Sequence, residues 1–207
     1  MSGGRDLTLE ACAQQLRAQL LPMALDPEPG ESGMRPAAVA LLLRHRPQAG
    51  MQLLLVERAR YRGDPWSGHV ALPGGRREPG DAHLYAALQR ECREEIGVDV
   101  QQVAQPLGRL LQARPQRCRA VPLIVHPWVL WLTQDAPLQL GAELAAHAWI
   151  EVAALGPAAR PGAFSLPSGR LSPGAVVWGL TYRILQDFLQ RLAKCDDIPH
   201  VSGPAQR

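Results

Sequence analysis

The stretch from Leu72 to Val98 constrains this chain most. A short apolar run, Val70-Ala71-Leu72, ends in Pro73-Gly74-Gly75, and after a polar interval comes Arg90-Glu91-Cys92-Arg93-Glu94-Glu95-Ile96-Gly97-Val98. The spacing predicts a helix over residues 81–96, with Gly97 as its C-terminal cap. Positions three and four apart share a helix face, so Glu91 aligns with Glu94 and Glu95, while Leu84, Leu88 and Cys92 fall on the opposite side. Such a helix needs two surroundings at once: an apolar sheet under one face, and something that relieves three crowded carboxylates on the other.

The rest of the chain supplies the sheet. Residues 35–44 carry an unbroken apolar run, 47–50 read as a turn and 51–57 as the returning strand, which together make a hairpin. Further strands are expected at 70–72, 107–111, 121–132 and 148–150. Helices are expected at 7–21 and 176–192, with a Pro- and Gly-rich loop over 158–173 between strand and final helix. The mixed order of elements predicts an α+β chain built as a three-layer α/β/α arrangement. We read residues 1–207 as a single domain: an N-terminal helix and linker at 1–34, a catalytic core at 35–155, and a C-terminal loop, helix and tail at 156–207.

The acidic face points to chemistry. A hard divalent cation such as Mg²⁺ takes carboxylate oxygens together with substrate phosphate oxygens, and it removes the repulsion that Glu91, Glu94 and Glu95 would otherwise suffer. Arg90 can orient one of these carboxylates through an ion pair. The Gly74-Gly75 turn lets backbone approach closely, so a carbonyl at Gly75 can complete the ligand set. A solvated Glu/Arg surface helix is the bland alternative for the carboxylates taken alone, but it leaves the glycine turn and the flanking strand unexplained.

Composition excludes other classes. The hydrophobic fraction is 46% and the net charge only +3, with Lys194 the sole lysine and no block of like charge. A nucleic-acid arm or membrane-surface patch is therefore not expected. Cys12, Cys92, Cys118 and Cys195 match no zinc spacing and no disulfide framework, and suit a reducing compartment. No basic-then-apolar leader and no membrane-length apolar run is present. A cytoplasmic protein is expected.

The segment 75–98 resembles the Nudix box, whose pattern is Gly, five residues, Glu, seven residues, then Arg-Glu-apolar-x-Glu-Glu-x-Gly-apolar. Residues Arg90 to Val98 match every fixed position. The first half departs: Asp81 stands where the pattern has Glu, one extra residue separates it from Arg90, and a helix N-cap is the expectation for Asp81. The resemblance implies a mixed sheet sandwiched between helices, a diphosphate-cleaving activity on a small-molecule nucleotide, Mg²⁺ or Mn²⁺ at Glu91, Glu94, Glu95 and Gly75, and a late glutamate acting as general base or metal ligand. Glu143, just before a strand, is the best placed. A homodimer is left open.

The extra residue is similar to the coenzyme A pyrophosphatase branch of that family, as are Leu54-Leu55-Val56-Glu57-Arg58, the spacing from Gly68 to Pro73, and Trp178-Gly179-Leu180-Thr181 at the last helix. Leu72 replaces that branch's phenylalanine, Val56 a threonine, and Asp64 an arginine suited to a phosphate. Arg58, Arg60 and Arg62 can supply the missing positive charge, with His69 beside them. Trp178 is expected as a packing anchor, Trp128 and Trp131 as core or interface, and Arg114, Arg117 and Arg119 as solvated loop charges near the substrate. Coenzyme A would yield phosphopantetheine and adenosine 3′,5′-bisphosphate. The rivals are the same chemistry on ADP-ribose, a dinucleoside polyphosphate or a nucleoside triphosphate, and a nucleotide-sensing module without turnover.

Overall fold

A computed structural model describes residues 6–27, 33–63, 66–115, 122–167 and 171–195. In chain order the elements are α1 (Asp6–Gln19), β1 (Arg35–Arg46), β2 (Gly50–Arg58), β3 (Val70–Ala71), β4 (Gly74–Arg76), α2 (Leu84–Ile96), the single turn α3 (Val100–Val103), β5 (Ala104–Arg109), β6 (Leu123–Leu132), β7 (Leu144–Glu151), β8 (Gly156–Pro157), β9 (Ala163–Ser165), β10 (Val176–Trp178) and α4 (Gly179–Leu192).

The main sheet runs β3-β2-β1-β6-β5, with β4 also on β1 and β7 also on β2. The β1–β6 pair is parallel, Leu41 opposite Val129, and the other pairs are antiparallel, so the sheet is mixed. Its central strands are apolar at nearly every position because both faces are covered. Alternate residues of one strand serve different layers. Leu41, Leu43, Leu53 and Leu55 pack with Leu16 of α1 and Ile184, Leu185 and Phe188 of α4. Ala40, Leu42, Leu54 and Val56 pack with Leu84, Leu88, Cys92 and Ile96 of α2. This is the three-layer α+β sandwich expected from the sequence. No helix among the described residues is long and apolar enough to cross a membrane.

Four expectations need correction. The helix expected from residue 81 begins at Leu84, and His83, not Asp81, caps it: His83 Nδ1 accepts the Ala86 N–H at 2.9 Å. Gly74 and Gly75 form a strand rather than a turn, pairing with Val39 and Ala38 of β1. The loop expected over 158–173 contains β9, which pairs with β8 and β10 in a small second sheet. The helix expected from 176 starts only at Gly179, since Val176–Trp178 is β10; β-branched Val176 and Val177 favour extended backbone. Gly97 does close α2, at φ 70, with its N–H bonded to the Arg93 carbonyl.

Candidate active site

The site is assembled by two glycines, one helix and one loop. At Gly74 (φ +139) a Cβ would lie 2.1 Å from the Ala38 carbonyl oxygen, and at Gly75 it would lie 2.2 Å from Glu91 Oε1. At Gly74 only glycine lets β4 lie against β1, and at Gly75 the missing side chain leaves room for the Glu91 carboxylate. The loop between β6 and β7 then crosses the end of α2. Gln139 and Gly141 donate their N–H groups to the carbonyls of Ile96 and Glu95, satisfying acceptors the helix terminus leaves open. Gly141 passes so close that a Cβ would meet the Glu94 carbonyl at 2.3 Å. That passage delivers Glu143 to the same cleft.

The three helical carboxylates occupy different environments. Glu95 is 6% exposed and accepts the Gly74 N–H at 2.8 Å. Burial, with added repulsion from Glu91 and Glu143, pushes its pKa up to about 7 against the pull of that N–H and of Arg58. Glu91 is half-buried, and its pKa is raised first by burial and then by Glu94 and Glu143, while Arg90 opposes the rise. Glu94 is exposed and turned toward Arg90. Arg90 is the organiser: it contacts Glu91 at 3.1 Å and Glu94 at 2.9 Å, donates to the Arg76 carbonyl at 3.0 Å, and grips Asp81 through two bonds of 3.2 Å. The Asp81 side chain is 7% exposed. Its role is to hold Arg90, and that contact keeps its carboxyl below the usual carboxylate range although burial works the other way.

As placed, no three His, Cys, Asp or Glu side chains among the described residues converge closely enough to hold a metal ion. Glu94 is drawn outward by Arg90, and Glu95 is drawn to the Gly74 N–H. The donors still suit a hard cation. Buried Glu95 and half-buried Glu91 present carboxylate oxygens with backbone of β4 beside them, Glu91 raising the Glu95 pKa, and like charges in that setting are relieved by a cation.

These groups line one wall of a cleft of about 1320 Å³. Arg35, Arg58, Arg76, Arg77, Arg160 and Arg183 also line it, so the carboxylates sit within a cationic rim. The described part of the chain thus joins half-buried Glu91 and buried Glu95 to a basic surround. The Nudix-domain family profile matches residues 34–175. The chain belongs to the Nudix family.

Among relatives of this Nudix chain, the Salmonella newport Nudix hydrolase NudL, itself uncharacterized, is 44% identical over 69 residues, 33% of this chain and 34% of that protein. An uncharacterized Schizosaccharomyces pombe protein is 44% identical over 48 residues, 23% of this chain and 15% of that one. The matched stretch of this chain thus spans only 34% and 15% of the lengths of these curated relatives. A MutT/nudix family protein from Enterococcus faecalis superposes with a TM-score of 0.58 over 97% of this chain and 79% of that one, at 17% identity, a likeness of fold.

Several residues singled out from the Nudix sequence meet in the cleft: Arg90, Glu91, Glu94, Glu95, Gly75 and Glu143, with Arg58 and His69. Glu143 Oε2 lies 3.7 Å from the Arg58 guanidinium. Arg60 and Arg62 do not line the cleft; both are exposed on the loop after β2, and Arg60 lies against Gly68. Asp64, Arg117, Arg119 and Cys118 fall outside the described residues. Arg114 is not a cleft residue, but its carbonyl accepts from Arg183. Trp128 is fully buried, its Nε1 donating to the Ala24 carbonyl at 3.2 Å, and Trp131 is 7% exposed, so neither is placed to stack on a ligand. Cys92 is buried, and burial raises its thiol pKa strongly, which keeps it an inert packing group.

Sequence reasoning missed Arg160, Arg183, Trp66 and Tyr182, all cleft residues. They arrive from segments far apart in the chain and carry no spacing signal. It also missed Glu57, whose carboxylate is 3% exposed and accepts both the Ser172 N–H at 2.8 Å and its hydroxyl at 2.5 Å. That contact ties the segment before β10 to the main sheet.

Proposed function

We propose that this Nudix protein hydrolyses the diphosphate linkage of a nucleotide derivative, and that coenzyme A or an acyl derivative is its preferred substrate. The observation that carries the reading is half-buried Glu91 beside buried Glu95, with Glu143 close enough to raise the pKa of both, inside an arginine-rimmed cleft. Glu91 and Glu95, with the Gly75 carbonyl, would hold Mg²⁺ or Mn²⁺, which supplies a lowered water pKa and neutralises charge on phosphate oxygens. Glu94, on the same helix face, would join that set. Glu143, exposed at the mouth, accepts the proton of the attacking water on its carboxylate. Arg58 orients Glu143 and neutralises a phosphate oxygen. Asp81 keeps the Arg90 guanidinium aimed at the acidic face.

Coenzyme A differs from ADP-ribose in carrying a third phosphate on the ribose, and the rim offers more guanidinium groups than a diphosphate alone needs. The loop length after Gly75, the Gly68 spacing and the Trp178-Gly179-Leu180-Thr181 segment support the same choice. Asp64 supports the runner-up, a nucleoside diphosphate derivative without that phosphate.

The test is kcat/KM with Mg²⁺ for coenzyme A, dephospho-coenzyme A, ADP-ribose, a dinucleoside polyphosphate and a nucleoside triphosphate. Coenzyme A is expected to exceed dephospho-coenzyme A by on the order of 10-fold or more, because a cation left without its phosphate loses binding energy. Turnover of ADP-ribose or a triphosphate with no cleavage of coenzyme A would hand the assignment to the runner-up.

A further inference from the structure

Phosphate chemistry explains the arginines and carboxylates of the cleft but not the indole that also lines it. Trp178 ends β10, directly before α4, and is only half-buried. The His69 ring meets it in an edge-to-face arrangement, with centroids 4.7 Å apart and planes at 70°. The Arg160 guanidinium lies over the indole, 4.5 Å from the ring centroid. A tryptophan that served only packing would be closed over by apolar side chains. Here the ring is braced by an imidazole and covered by an exposed cation, and all three residues line the cleft that holds Glu91 and Glu95.

Arg160 sits at the tip of the hairpin formed by β8 and β9, closed by the bond from the Ala158 N–H to the Ala163 carbonyl. Among the described residues it makes no ion pair, so leaving the indole breaks no salt bridge. The platform beneath is fixed. Val176 to Trp178 pair with β9, and Glu57 anchors Ser172, a few residues earlier, to β2. A planar guanidinium stacked on an indole occupies the volume that a planar ring would take, and each partner favours a flat π system on its open face. A flexible arm carrying isolated amides offers only small planes, far less area than a fused purine.

We infer that Trp178 and Arg160 form a nucleobase clamp, in which a purine slides between the indole and the guanidinium while His69 braces the platform edge. The inference rests on the proposed nucleotide substrate and assigns which half of it faces the small β8–β10 sheet: the base lies on Trp178 and the diphosphate reaches the carboxylates.

The experiment uses the full chain, with Mg²⁺, grown with 5-fluorotryptophan, the Trp178 ¹⁹F resonance being identified by its loss in Trp178→Phe. Adenosine 3′,5′-bisphosphate and AMP are expected to move that resonance, and 4′-phosphopantetheine to leave it in place. Trp178→Ala and Arg160→Ala should each raise the Kd for adenosine 3′,5′-bisphosphate by roughly 10-fold, with Trp178→Phe within about 3-fold of the parent, as base stacking predicts. The Kd for 4′-phosphopantetheine should not change in any variant. An adenine ligand that binds without moving the Trp178 resonance would overturn the clamp, as would Trp178→Ala weakening both ligands alike, or no binding of any adenine nucleotide. Should Trp178→Ala fail to fold, the resonance of the unmutated chain still decides. A protein that shows the shift yet cleaves no diphosphate keeps the clamp and loses the hydrolase reading; one that cleaves diphosphates with the resonance unmoved loses the clamp alone.

Discussion

Glu95 concentrates the site's energetics in one side chain. It is buried, its pKa is pushed up to about 7 by that burial, and one backbone N–H is the hydrogen bond the structure gives it. Two outcomes follow from that placement. With metal bound, Glu95→Gln removes a charged oxygen ligand and should lower kcat by on the order of 10²-fold while leaving the fold intact. Near-parental turnover with unchanged Mg²⁺ dependence would show that the ligand lies elsewhere. Without metal, the raised pKa makes the ionised form costly. The unfolded glutamate ionises at 4.5 and the folded one at about 7, so stability present below 4.5 is lost as pH rises through that window. The loss is on the order of 3 kcal/mol. Thermal melts in EDTA should show the parent falling relative to Glu95→Gln between about pH 5 and about pH 8, and Mg²⁺ should restore more stability at the upper end. Parallel curves for the two proteins would rule this out.

At the level of elements, adjacent glycines on β4 meet different obstacles. A Cβ at Gly74 strikes the backbone carbonyl of Ala38 in a conformation (φ +139) that only glycine tolerates. Gly74→Ala should therefore destabilise the whole protein, by about 2–4 kcal/mol. A Cβ at Gly75 strikes only the tip of the Glu91 side chain, which can move. Gly75→Ala should cost less than about 1 kcal/mol of stability, yet it displaces a carboxylate, so the Mg²⁺ concentration for half-maximal activity should rise several-fold. Melting temperature and metal titration, measured together on both variants, separate the two effects. Equal loss of stability in both would mean that the β4–α2 contact is rigid rather than adjustable. The Arg90 network belongs to this scale too. Its partners Glu91 and Asp81 are partly or largely screened from water, but Glu94 is 58% exposed, so that pair orients more than it stabilises.

Across the whole molecule, one sheet separates two apolar layers with different duties. Phe188, fully buried on α4, packs against the face that carries α1. Leu88, fully buried on α2, packs against the other face, under the helix that carries the carboxylates. Truncating either to alanine should cost about 3–5 kcal/mol for Phe188 and about 2–5 kcal/mol for Leu88, through lost burial and the cavity left behind. Only Leu88→Ala should also lower kcat in the folded protein, because α2 settles toward the cavity and shifts Glu91 and Glu95. Chemical denaturation paired with activity below the unfolding transition makes the comparison. A kcat deficit in Phe188→Ala of the same size would mean that the layers are coupled through the sheet.

What local pattern could carry was legible in the sequence. The two-face helix ending at Ile96, its Gly97 cap, the apolar strands and the acidic trio depend on neighbours within a few positions, and period and spacing record those directly, though not the helix start at Leu84. The three-layer class followed because strands apolar at every position require cover on both faces. Tertiary structure alone decided the rest. Gly74 and Gly75 look like a turn until β1 is laid beside them, and Asp81 looks like a cap until Arg90 reaches back to it. Val176 to Trp178 read as helix because their apolar run suits either state; pairing with β9 chose the strand. Glu57 with Ser172, and Arg160 with Trp178, are contacts between positions whose separation in the chain leaves no periodic trace. The acidic pair was visible in the letters because a helix turn brings its members together, whereas the cationic and aromatic walls of the cleft exist only where the folded chain returns to itself.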